Sequence, residues 1–94
     1  MENQVVETEL QRRTMQLKED IAFVFKTDIE KDEELYLKTS VRFGNKGIKE
    51  AKIITNIELT SLHIQKIQAL ITLHNFNDYR IKRSGGALRI LLTK

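Results

Sequence analysis

The chain has 94 residues, with no cysteine, proline or tryptophan, 40% hydrophobic and 31% charged side chains, and a net charge of +3. That length suits a single α+β domain over residues 1–94 with one core, and the lack of cysteine excludes disulfides and thiolate metal sites. The charge is unevenly divided: residues 1–38 hold ten acids and six bases (−4), whereas residues 39–94 hold ten bases and three acids (+7). An asymmetry of this kind points to nucleic acid or another acidic partner for the second half. The opening Met1-Glu2-Asn3-Gln4 lacks the basic and apolar runs of a secretion signal. No window approaches the roughly 20 apolar residues of a spanning helix, so a cytoplasmic protein without a membrane partner is expected.

In chain order, Val6, Leu10, Leu17, Ile21 and Val24 recur at helical spacing, while Met15, Leu17, Ile21, Phe23 and Phe25 share one parity. The segment divides into an expected helix, Gln4 to about Lys18, and a short buried strand, Ile21–Phe25, where aromatic and β-branched residues concentrate. In the acidic run that follows, Asp28, Glu30 and Asp32 imitate the start of a calcium loop. Glu33 and Thr39 stand where that loop needs glycine and glutamate, so a solvated loop is expected and no metal.

Leu35 to Phe43 alternates cleanly, with Leu35, Leu37, Val41 and Phe43 on one face and Tyr36, Lys38, Ser40 and Arg42 on the other. After the turn Gly44-Asn45-Lys46-Gly47 the alternation resumes through Ala51, Ile53, Ile57 and Leu59. Pairing 43 with 49 sets Val41 opposite Ala51 and Arg42 opposite Glu50, so apolar faces and charges agree.

Thr60 to Phe76 reads as an amphipathic helix whose apolar arc, about 240° wide, exceeds the stripe of a little over 100° that one sheet requires. A second cover is therefore expected, from the N-terminal segment or from a homodimer formed through the 60–76 helix. Thr60 or Ser61 supplies a cap, with no Glu or Gln three residues later to complete a capping box. A hairpin follows, turning at Gly85-Gly86, with Ser84 opposite Ala87, Lys82 opposite Arg89, Ile81 opposite Ile90 and Tyr79 opposite Leu92. Tyr79, Ile81, Leu88, Ile90 and Leu92 then share one face; Arg80, Lys82, Arg89 and Leu91 share the other.

The expected order is α-β-β-β-α-β-β: a small antiparallel sheet with one central amphipathic helix. The alternative parse reads residues 48–55 as helix, which produces a winged helix-turn-helix with 60–76 as recognition helix. The β-branched Ile53-Ile54-Thr55 and the absence of Arg and Lys from the polar stripe of 60–76 oppose it.

Catalysis finds little footing. His63 and His74 share a helix face but stand about 16 Å apart at 1.5 Å per residue, too far to hold one metal, and they read as packed boundary residues. Neither a serine nucleophile setting nor a phosphate-binding glycine loop is present, and no cofactor is implied. What remains is a basic set, Arg80, Lys82, Arg83, Arg89 and Lys94 with Arg42 and Lys46, as a candidate nucleic-acid site in a small non-enzymatic accessory or regulatory protein. Lys49 and Lys52 are further candidates. Only Tyr36 offers a ring on a polar strand face, so no row of stacking aromatics accompanies the cations. The bland alternative is that these cations protect strand edges and confer solubility, which leaves a protein-interaction or self-assembling module without nucleic-acid binding.

Overall fold

The computed structural model describes residues 8–94, so Gln4 and Val6 lie outside the described residues. Helix α1 (Glu9–Lys31) is followed by the hairpin β1 (Leu37–Gly44) and β2 (Gly47–Thr55). Helix α2 (Ser61–Leu73) and the hairpin β3 (Asp78–Ser84) and β4 (Ala87–Thr93) complete the chain. The strands form one antiparallel sheet in the order β1-β2-β4-β3, so each hairpin contributes an edge strand and a central strand. The α+β class and the antiparallel sheet agree with the sequence; the observed order is α-β-β-α-β-β.

The difference lies in α1. The expected strand at 21–25 is the second half of a continuous 23-residue helix. Leu17, Ile21, Val24 and Phe25 recur at i, i+4, i+7 and i+8, and all four are buried, whereas the parity reading also needed Met15 and Phe23 inside, which are 54% and 68% exposed. Local β propensity gives way because a helix can lay this stripe along the sheet and join the core. The start is set by a reciprocal capping box: the Gln11 amide donates to Thr8 Oγ1 (3.1 Å) and the Thr8 amide to Gln11 Oε1 (2.9 Å).

Both helices pack on the same sheet face. Leu17, Ile21, Phe25, Ile67 and Leu70 meet Ala51, Ile53, Ile90 and Leu92 in one core. The strand parity that the apolar alternation implied is the parity observed, and residues 48–55 are strand, so the winged helix-turn-helix parse does not apply. The β1–β2 register places Val41 opposite Ala51 and Arg42 opposite Glu50 as expected. It then shifts between Arg42 and Phe43, so that Phe43 faces Ile48 rather than Lys49. The irregularity absorbs one residue as the chain enters the turn, where Gly47 takes a φ of 114°. In the second hairpin all four expected pairs are present, and of the two turn glycines it is Gly85 that adopts positive φ, 62°.

Helix α2 ends at Leu73, short of Phe76, through a Schellman arrangement. Asn75 takes the left-handed conformation (φ 62°), the Phe76 amide donates to the Ile71 carbonyl (2.9 Å) and the Asn75 amide to that of Thr72 (3.4 Å). Phe76 still reaches the core, at 5% exposed, after the helix has stopped.

The connection between α1 and β1 is held by the end of β2. Fully buried Thr55 donates its hydroxyl to the Tyr36 carbonyl (2.7 Å) and accepts from the Ile57 amide (3.1 Å). Asn56 accepts from the Tyr36 amide (2.9 Å) and donates to the Glu34 carbonyl (3.1 Å). Thr55→Val keeps the shape but leaves the partly buried Tyr36 carbonyl and the buried Ile57 amide without this partner. It is expected to cost about 1–3 kcal/mol, read as a lower urea midpoint at unchanged m-value. A loss below about 0.5 kcal/mol would show that neither group depends on the hydroxyl.

Candidate nucleic-acid interface

The helices occupy one face of the sheet and no described element covers the other. Its cross-strand rows follow from the register. The first is Lys38, Ile54, Arg89 and Lys82; the second is Ser40, Lys52, Leu91 and Arg80; the third is Arg42, Glu50, Thr93 and Asp78. With strands about 4.8 Å apart and same-face residues about 6.7 Å apart along a strand, the first two rows place five cations within an area of about 14 by 7 Å. Ile54 and Leu91, both half-buried, sit at the centre of this face. Six cations against Glu50 and Asp78 leave these three rows at +4, more than the net charge of the entire chain.

The acids do little to neutralise the basic rows. Glu50 is engaged with Arg42 (3.4 Å) in the third row, and among the described residues no carboxylate lies within ion-pair distance of Lys38, Lys52, Arg80, Lys82 or Arg89. Lys82 and Arg89 face each other across β3 and β4, as the hairpin register requires, and like charges directly opposite are destabilising. An anion between them converts that repulsion into attraction.

The seven candidate cations do not form one set. Arg42, Arg80, Lys82 and Arg89 share the open face. Arg83 has the opposite parity, on the helix side, and lies 3.7 Å from Glu58. Lys46 and Lys94 line a shallow groove with Lys49 beside the β1–β2 turn, at the end of the sheet. Lys94 also sits over the Phe76 ring (5.4 Å), and its amide donates to the Lys49 carbonyl (3.1 Å). Lys38, which the sequence placed on the polar face of β1 but not among the candidates, belongs to the richest row together with Arg89 and Lys82. Parity alone could assign it to a polar face; only the strand order brings that face beside β3 and β4. Tyr36 lies just before β1, 39% exposed, so the three rows contain no aromatic ring.

The histidines are structural. Helices α1 and α2 run antiparallel, so His63 Nε2 meets Asp28 Oδ2 and His74 Nε2 meets Asp20 Oδ2, each at 2.8 Å. His63 Nδ1 accepts the Thr60 amide (2.9 Å), which puts the ring proton on Nε2, directed at Asp28. The His63 amide donates to Thr60 Oγ1 (3.3 Å), so histidine fills the place of Glu or Gln in a capping box that the sequence had not suggested. The ring stacks on Phe25, with centroids 5.3 Å apart. The second cover expected for α2 is thus α1 of the same chain, which removes the main reason for pairing two copies through the 60–76 helix.

Among the described residues no helix is long and apolar enough to cross a membrane, and no cluster of three metal-ligating side chains occurs. Compared with known proteins, the chain matches no family model and no curated sequence.

Proposed function

We propose that this protein is a nucleic-acid-binding accessory or regulatory protein that holds the phosphate backbone against the open face of its sheet. The observation that carries this reading is the pair of adjacent rows containing Lys38, Lys52, Arg80, Lys82 and Arg89, contributed by all four strands. Edge protection needs cations on the edge strands β1 and β3, but Lys52 and Arg89 lie on the central strands β2 and β4, where no edge exists to protect. Long cationic side chains on a rigid sheet reach phosphates without ordering a loop. With no aromatic ring in the rows and aliphatic Ile54 and Leu91 at their centre, the contact is to backbone and carries no base readout.

A salt titration tests this. With five cations each displacing a condensed counterion, binding to a mixed-sequence duplex is expected to follow a slope of about −4.5 in log K against log salt. Absence of binding at about 50 mM salt, or binding indifferent to salt, would overturn the assignment.

A further inference from the structure

We infer that the helix layer, on the side of the molecule opposite the cations, is a two-fold interface between copies of this chain, centred on Phe23. This rests on α1 and its flank, independently of what the basic face binds. Phe23 projects from the middle of α1 with 68% of its surface exposed. Phe23 forms part of the wall of an open groove of about 710 Å³ between α1 and β1, which is also lined by Ala22, Ile29, Leu35, Tyr36 and Leu37 and by the charged Glu19, Lys26 and Glu30. A single surface thus carries both a knob and a slot. An isologous dimer needs that combination, because whatever one copy inserts it must also receive.

The charges select this occupant over an unrelated partner. If two α1 helices lie antiparallel with the dyad passing between Ala22 and Phe23, each Phe23 falls on the small Ala22 of the other copy. Glu19 then falls opposite Lys26, twice by symmetry. Within one helix these two residues are seven apart, about 10.5 Å along the axis, and do not meet, so their pairing is available only between copies. The seam along α1 is about 35 Å long and 10 Å wide, below the 800 Å² or so that each partner of a stable dimer buries. Leu73 and Ala69, exposed on the α2 side of Phe23, extend it, and the expected affinity is micromolar. Because both helices lie on one side of the sheet, this pairing leaves the two basic faces exposed on opposite sides of the dimer.

Sedimentation equilibrium of the full chain from about 1 to 500 μM, with circular dichroism on every variant, tests the inference. The parent is expected to associate to a dimer and no further, and Phe23→Ala, at an exposed position, to weaken it about tenfold or more. Glu19→Lys alone and Lys26→Glu alone each set like charges together at two places and should weaken association about three- to tenfold. The double exchange Glu19→Lys/Lys26→Glu should restore the parent affinity to within about threefold. A monomer throughout the range would overturn the inference. So would a double exchange no better than the single changes, since a heterologous or parallel contact gains nothing from the swap.

Discussion

Replacing both Lys82 and Arg89 by Glu is expected to weaken binding of mixed-sequence nucleic acid by well over tenfold at about 0.1 M salt while the fold is retained. The two side chains face each other across β3 and β4 on the open side of the sheet. Their mutual repulsion costs the parent roughly a few tenths of a kcal/mol, and two glutamates in the same places repel by a similar amount. The cross-strand term therefore changes little, and circular dichroism should superimpose on that of the parent. The ligand sees a different surface. The row containing Lys38, Ile54, Arg89 and Lys82 changes from three cations to one cation and two anions, which removes two phosphate contacts and adds two repulsions. As a control, Arg83→Glu alters charge next door in sequence, but its side chain lies at the opposite parity beside Glu58 and should change affinity far less. Arg83→Glu changes the charge by 2 and the double replacement by 4, so an effect at 83 half as large, in log affinity, as that at 82/89 would show that net charge rather than the face governs binding.

His63→Phe is expected to destabilise the protein by about 2 kcal/mol, even though ring volume and the stack on Phe25 are kept. Two interactions disappear. The Thr60 amide at the helix start loses its acceptor, and such caps are worth about 1 kcal/mol. Asp28 loses the imidazole donor at 2.8 Å, a hydrogen bond to a charged group worth about 1.5 kcal/mol, discounted here because the carboxylate is 32% exposed. For a domain of this size the melting temperature should fall by about 8–16 °C. Asp28→Asn, which retains an acceptor oxygen for the imidazole proton, should cost less than His63→Phe. If the two cost the same, the loss would lie in the Asp28 contact alone and the cap would contribute nothing. The histidine is thus a hub between elements: it starts α2, packs on α1 and bonds to a carboxylate 35 residues earlier.

The parts of this protein that could be read from its amino acids are those in which one local rule suffices. Clean alternation defined the residues of β1 that point to each face. The Gly85-Gly86 pair determined the hairpin register down to Lys82 opposite Arg89, because a two-residue turn admits one pairing and the apolar faces must agree. The start of α1 is not legible in this way: the helical spacing puts it at about Gln4, and the Thr8–Gln11 capping box is seen in the structure. Residues 21–25 were different. Val24 fits the helical spacing while Phe23 and Phe25 fit the alternation, so over so short a span the two periods compete, and helix prevailed because Leu17, Ile21, Val24 and Phe25 find one continuous surface to cover. The strand order β1-β2-β4-β3 is not encoded in any local pattern; it emerges when the two hairpins join through β2 and β4 under the two helices. That joining brings Lys38 and Lys52 beside Arg80, Lys82 and Arg89, and the packing of the two helices pairs His63 and His74 with acids on a different helix. Short-range periodicity and turn chemistry therefore decided which face each strand residue takes. The neighbours across that face were decided by long-range burial of a common core, to which residues distant in sequence contribute together.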